Sequence, residues 1–192
     1  MKNKILNEGF PFSEEVLSGK TAVVCGASEG IGRATALLLA RSGARVIPIA
    51  RNQNRLEELI TEMHGTGHKA LSIDLEKTQA VAKAVAVLKA ERASILINNA
   101  GGPPGSPLME NSIEDFEAPF KRHLHASHLL VQGLAPIMEQ IEFGRIVNVI
   151  STSVREPIEG IGLPNTLRGA MASWSKSLSR ELHPCITINN VL

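Results

Sequence analysis

Tyrosine does not occur anywhere in this 192-residue chain, and aromatic residues of all kinds make up only 3% of it. Chemistry that needs a phenol as acid, base or nucleophile is therefore closed to it. Cysteine is nearly as scarce, with Cys25 and Cys185 alone. That excludes a disulfide-stapled secreted scaffold and points to a reducing compartment. Neither charge sign dominates: 20 Lys and Arg face 19 Asp and Glu, a net charge of +1. Such a balance gives no electrostatic case for nucleic acid or an anionic membrane. No apolar run approaches the roughly 18 residues of a membrane span. The N-terminus meets Asn7, Glu8 and Gly9 too soon for a signal peptide. These absences lead us to expect a soluble, cytoplasmic protein. What is present is 43% hydrophobic and 20% charged, ordinary for one globular domain.

Short β-branched runs alternate with longer helical segments. Thr21–Cys25 reads as a first strand, apolar throughout as a strand buried on both faces is. Helix is expected over 30–42, then strand over Arg45–Ala50, where Pro48 is a blemish because proline cannot donate to a ladder. Helix 52–64, strand Lys69–Ile73, helix 76–91 and strand Ser94–Asn98 follow. A Pro/Gly-rich loop from Gly101 to Pro107 precedes a long helical region over 112–140. Strand Arg145–Ile150, a loop over 155–163, helix 166–182 and strand Ile186–Val191 complete the pattern. This alternation predicts parallel βαβ units with right-handed crossovers. The expected fold is a doubly wound α/β sheet in three layers, occupying residues 18–192 behind an N-terminal extension over 1–17.

After the first strand stands Gly26-Ala27-Ser28-Glu29-Gly30-Ile31-Gly32. Gly26 permits a tight strand-to-helix turn. Gly30 and Gly32 let backbone approach a pyrophosphate and let the helix pack on the sheet. The helix N-terminus then offers free N–H groups and a positive dipole end to that phosphate. A glycine-rich turn without a ligand is the plain alternative.

This turn resembles the fingerprint of the short-chain dehydrogenases/reductases, with Cys25 where the family has threonine. Asn98-Asn99-Ala100-Gly101, Gly144-Arg145-Ile146-Val147-Asn148 and Ile188-Asn189-Asn190-Val191 resemble that family's fourth, fifth and sixth strand motifs in order. The resemblance runs from about residue 18 to the end. It implies a Rossmann-like dinucleotide site made by Gly26, Ser28, Glu29, Gly30, Ile31, Gly32, Arg51, Asp74, Leu75, Asn99, Ala100, Gly101 and Arg168. At the end of the second strand, Ala50 replaces the acid that would bind a ribose 2′-OH, and Arg51 follows. This pattern favours NADP(H) over NAD(H), unless Arg51 is a solvated residue opening the next helix. Glu29 runs against that preference, since an acid there repels a 2′-phosphate. Asp74 is placed against the adenine by the resemblance and serves equally as an N-cap of the next helix.

The family protonates its alkoxide with the tyrosine of Y-x-x-x-K, some 13 residues after a serine, and completes a relay with lysine and asparagine. Ser151 holds the serine's place. Thirteen residues on stands Pro164, and four further Arg168; 24 residues after Asn99, His123 holds the asparagine's place. The candidate catalytic residues are thus Ser151, His123 and Arg168. Arginine is a poor proton shuttle. His123 can titrate near neutrality and serve as the acid, or be an ordinary helix residue. Ser151 can equally be a plain strand-end residue. His123, His125 and His128 do not share one helical face, so no metal site is expected.

Two functions remain in view. One is an NAD(P)H-dependent oxidoreductase acting on a carbonyl or alcohol, with 3-oxoacyl compounds among the candidates. The other is a non-catalytic nucleotide-binding relative acting as sensor, scaffold or subunit. The resemblance also implies a homodimer or homotetramer formed through the long helices, where Ala170, Met171, Trp174 and Leu178 offer apolar positions that core burial explains equally well. The sequence stops at Leu192, within the sixth strand, so the usual last strand is expected to be missing. Ile186, Ile188 and Val191 are then expected on an exposed edge, and a chain ending there is expected to be marginally stable.

Overall fold

The computed structural model describes residues 15–192, so nearly all of the expected N-terminal extension lies outside the described residues. Six strands form one parallel sheet: β1 (Thr21–Cys25), β2 (Arg45–Ala50), β3 (Leu71–Ser72), β4 (Ala93–Asn98), β5 (Gly144–Val149) and β6 (Ile186–Val191). Their spatial order is β3-β2-β1-β4-β5-β6. The order reverses between β1 and β4, and the switch opens a crevice at the carboxyl ends of these two strands. Successive residues of β1 point to opposite faces. Val23 and Cys25 join a core with α3 (Thr78–Ala90), α5 (Ala126–Gln140) and α6 (Gly162–Glu181). Ala22 and Val24 join a second core with α1 (Gly30–Arg41) and α2 (Gln53–Glu62). The doubly wound, three-layer expectation is met.

The departures have local causes. β3 holds two residues where five were expected. Val46 and Ala50 aim their carbonyls at the β3 side, accepting from Lys69 and Ile73. Pro48, between them, faces the same way and has no N–H to offer, so the ladder stays short. The helix expected over 112–140 is α4 (Ile113–Phe120) joined to α5 through a π turn at Lys121–His125. A capping box between Ser112 and Asp115 starts it. Helix α6 begins four residues early, at Gly162. Pro164 falls in its first turn, where a missing N–H has no intrahelical partner to lose.

The edge expectation is corrected in part. Ile186 is buried and Ile188 packs on the α3–α5–α6 core, leaving Val191 exposed. Across the β4–β5–β6 end, Asn98 donates to Asn148 Oδ1 at 2.8 Å and Asn148 donates to Asn190 Oδ1 at 3.0 Å. The three sit in register on neighbouring strands, which gives the asparagines of three motifs one structural task. Met171 is buried, and Trp174 and Leu178 pack against the chain's own core, so core burial accounts for these apolar positions of α6. Among the described residues no helix is long and apolar enough to cross a membrane.

Burial also separates the two thiols. Cys25 is enclosed in the core, which pushes its thiol up to about 12, while Cys185 is half-buried. A thiol-disulfide reagent at neutral pH should therefore modify Cys185 alone in the native chain and Cys25 only after denaturation. Two rapid equivalents from the folded protein would contradict this packing.

Candidate functional site

The crevice at the switch point is built on close contact between three residues. Gly26 has φ +62°, and a Cβ there would stand 2.2 Å from the Asn99 carbonyl oxygen. A Cβ on Gly32 would stand 2.3 Å from the Gly26 carbonyl oxygen and 2.7 Å from Asn99 Nδ2. Asn99 Nδ2 donates to the carbonyls of Cys25 and Gly26, both at 3.4 Å. The end of β4 is thus pressed against the turn that launches α1. Gly30 differs: its φ is +56°, and a Cβ there would meet nothing within 4 Å. The glycines divide their expected tasks, with Gly26 and Gly32 serving internal packing and Gly30 facing open space.

Glu29 occupies the N-cap of α1, yet its side chain makes no capping hydrogen bond. The first N–H groups of α1 are left without a side-chain cap beside that open space. This arrangement fits a phosphate group. Of the sequence candidates, Gly26, Ser28, Glu29, Arg51, Asp74, Leu75, Asn99, Ala100 and Gly101 line one cleft, and Ala50, Ile73 and Arg122 complete it. Ile31 stands at the helix start with most of its side chain exposed. The Glu29 carboxylate pairs with Arg55 Nη1 at 2.8 Å. Asn52, not Arg51, caps α2 by accepting from Arg55 N–H at 3.1 Å. Asp74 is not the cap of α3. Its Oδ1 accepts from Glu76 N–H at 3.1 Å, an Asx turn that precedes the N-cap at Lys77.

The catalytic candidates divide into a pair and a single residue. His123 is buried, and its Nε2 lies 2.9 Å from the Gly101 carbonyl oxygen. Its Nδ1 lies 3.3 Å from Arg168 Nη1, which also donates to the Val149 carbonyl at 3.4 Å. Only one tautomer suits both partners: Nε2–H donates to Gly101 and Nδ1 accepts from Arg168. Burial, with the Arg168 and then Arg122 charges adding to it, pulls the His123 pKa down to about 4 against a Gly101 hydrogen bond that raises it. Burial likewise pulls Arg168 below its ordinary value. The expected acid role of His123 conflicts with this geometry, because the ring is neutral and both nitrogens are engaged. Ser151 stands apart from the pair. Its Oγ accepts from Ser153 N–H at 3.1 Å, which leaves its own O–H free to donate.

Arg122 was missed by sequence reasoning. Its Nη1 donates to Gly101 O at 3.1 Å, and its Nε donates to Glu76 Oε1 at 2.9 Å. Neighbouring residues 122 and 123 therefore reach the same carbonyl. They do so within the π turn, whose wider coil brings adjacent side chains closer in direction. A basic residue beside the asparagine's place was the available signal. His125 is exposed and His128 accepts from Trp174 Nε1 at 3.3 Å, so the three histidines do not converge. No group of metal-ligating side chains occurs among the described residues.

The family described as short chain dehydrogenase matches residues 20–192. The chain belongs to that family. A short chain dehydrogenase of Pseudocercospora fijiensis is 34% identical over 173 residues, covering 86% of this chain and 56% of that protein. The chain thus spans little more than half the length of that relative. L-sorbose reductase from Gluconobacter frateurii, solved with NADPH and L-sorbose, superposes with a TM-score of 0.82 at 29% identity, covering 88% of this chain and 66% of that one. A metagenomic short-chain oxidoreductase solved with NADP gives a TM-score of 0.82 at 31% identity, covering 91% and 82%. His123 and Arg168, the residues that the sequence resemblance sets in the asparagine's and lysine's places, meet in the structure, and Pro164 lies in the first turn of α6.

The depressed pKa of His123 makes a stability prediction. The unfolded chain takes a proton there near the ordinary 6.5, whereas the folded chain resists until about 4. The contribution is fully present above pH 6.5 and is lost as pH falls toward 4, by about 3 kcal/mol at most. Urea unfolding at stepped pH should show this decline, and His123→Asn should flatten it. An undiminished slope in the variant would show that His123 is not the group responsible.

Proposed function

We propose that the chain binds NADP(H) across the switch-point cleft and is an oxidoreductase for a small carbonyl or alcohol substrate. The observation that carries this is the uncapped N-terminus of α1 beside the open space at Gly30, flanked by Arg51 where Ala50 replaces an acid. In this reading the first-turn N–H groups of α1 hold the pyrophosphate. Arg51 takes the 2′-phosphate, and Asp74 and Leu75 flank the adenine. Glu29 does not oppose the phosphate as a bare charge, because Arg55 pairs with it. Asn99, Ala100 and Gly101, with Arg168 beneath, receive the nicotinamide ribose. Bound there, the dinucleotide supplies the hydride. The free Ser151 O–H donates to the substrate oxygen and orients it.

The proton for the alkoxide comes from water, since no phenol exists and the His123 N–H is committed to Gly101. Losing a positioned acid forgoes roughly 10²- to 10⁴-fold in rate. Pro164 in the tyrosine's place favours a second reading, a nucleotide-binding relative without turnover that acts as sensor, scaffold or subunit. A cytoplasmic location and self-association through α4–α5 and α6 belong to the proposal. Family resemblance supports the association, as Met171, Trp174 and Leu178 are taken up by the chain's own packing.

Calorimetric titration should show NADPH binding about tenfold or more tighter than NADH, with Arg51→Ala removing most of the difference. NADPH oxidation across ketones and 3-oxoacyl thioesters should be slow and should vanish in Ser151→Ala. Binding without oxidation would establish the second reading; binding of neither nucleotide would sink both.

A further inference from the structure

In the sheet, β3 and β4 are separated by β2 and β1. At the usual spacing of neighbouring strands that is a distance of about 14 Å. β3 pairs with β2 through two residues, so the ladder does little to fix the chain that follows it. Yet the segments just beyond β3 and β4 are joined by one side chain. Arg122 Nε and Nη2 both donate to Glu76 Oε1, Nε at 2.9 Å, and Nη1 donates to the Gly101 carbonyl at 3.1 Å. Arg122 also borders the cleft that Asp74 and Leu75 line from the β3 side and Asn99, Ala100 and Gly101 line from the β4 side.

Both ends of this crosspiece are anchored. Asp74 Oδ1 accepts from Glu76 N–H at 3.1 Å, so the carboxylate that Arg122 holds is tied through an Asx turn to the residues lining the β3 side. At the other end the Gly101 carbonyl takes a second donor, His123 Nε2, whose ring leads on to Arg168 and the Val149 carbonyl at the end of β5. The side chains of Arg122 and Glu76 are 27% and 28% exposed, against 53% and 77% for Arg55 and Glu29. Solvent and salt therefore weaken the first pair less than the second. The residue type also matters. A planar guanidinium serves two partners at fixed angles, whereas an ammonium is a single point charge.

We infer that Arg122 is a positioning residue for the dinucleotide, an inference that rests on the nucleotide reading of the same cleft. By holding the Glu76 and Gly101 segments at one separation, it sets the span that a ligand has to bridge. A molecule seated on both sides gains from both when its length matches that span. A cleft already held at that width spares the ligand the cost of ordering it. A molecule seated on the β3 side alone draws no such benefit. Arg122 thus acts on affinity through the two segments it joins, not through the reacting atoms.

The test is calorimetric titration of the parent chain, Arg122→Lys, Glu76→Ala and the double variant with two ligands. One is NADPH, which spans the cleft. The other is adenosine 2′,5′-bisphosphate, which carries the adenosine half alone. Arg122→Lys keeps the charge but not the fork, and Glu76→Ala lies outside the helices and leaves Arg122 in place. Each single variant should lose about tenfold or more in NADPH affinity and less than about threefold for the bisphosphate. The double variant should lose no more than the worse single one, because either change alone breaks the same tie. Equal losses for both ligands would mark a direct phosphate contact or general loosening, and would overturn the inference. Additive losses in the double variant, or NADPH binding unchanged in both single variants, would overturn it as well, while parent binding of both ligands left the nucleotide reading standing. A parent chain that binds neither ligand would sink that reading and this inference with it.

Discussion

Asn99 pressed against Gly26 and Gly32 is the contact on which the rest of the site depends. It brings the end of β4 within bonding distance of the turn after β1, across the point where strand order reverses. Any side chain at either glycine would drive these segments apart, since backbone oxygens stand where a Cβ would go. Held at that spacing, the turn leaves one open position of positive φ at Gly30, where α1 starts. The nucleotide cleft follows from a packing constraint rather than from any single binding residue.

Below the cleft His123 and Arg168 form one hydrogen-bonded pair. Arginine can only donate, and a neutral imidazole can accept at one nitrogen while donating at the other. Arg168 and His123 are complementary in this sense, with Gly101 as the final acceptor. Arg122 adds a second donor to the same carbonyl and ties it to Glu76 after β3. The arrangement ties together the ends of β3, β4 and β5 at the floor of the cleft. It provides shape and positive charge, and because both ring nitrogens of His123 are engaged it holds no mobile proton.

The features readable from sequence were those fixed by neighbours along the chain. The buried strand Thr21–Cys25, its glycine turn and the helix after it share one short stretch, so spacing alone locates the cleft. Arg51 and Ala50 were readable for the same reason. The length of β3 was not, because it depends on which way Pro48 faces across the ladder. Neither was the part played by His123. Its residue type suggests titration near neutrality, and only burial beneath Gly101 beside Arg168 makes it a neutral strut. Arg122 escaped notice because a π turn, invisible in hydrophobic periodicity, brings it to the same carbonyl as its neighbour.

The central claim is that Gly32 serves packing while Gly30 serves a bound phosphate. It is tested most directly by measuring unfolding stability and NADPH affinity together in Gly30→Ala and Gly32→Ala. The account predicts that Gly30→Ala costs about 1 kcal/mol of stability, the ordinary penalty for a left-handed alanine, yet loses most of its NADPH affinity. Gly32→Ala should be the far less stable of the two, because its methyl would meet the Gly26 carbonyl and Asn99. A stable Gly32→Ala, or a Gly30→Ala that binds NADPH as the parent chain does, would contradict it.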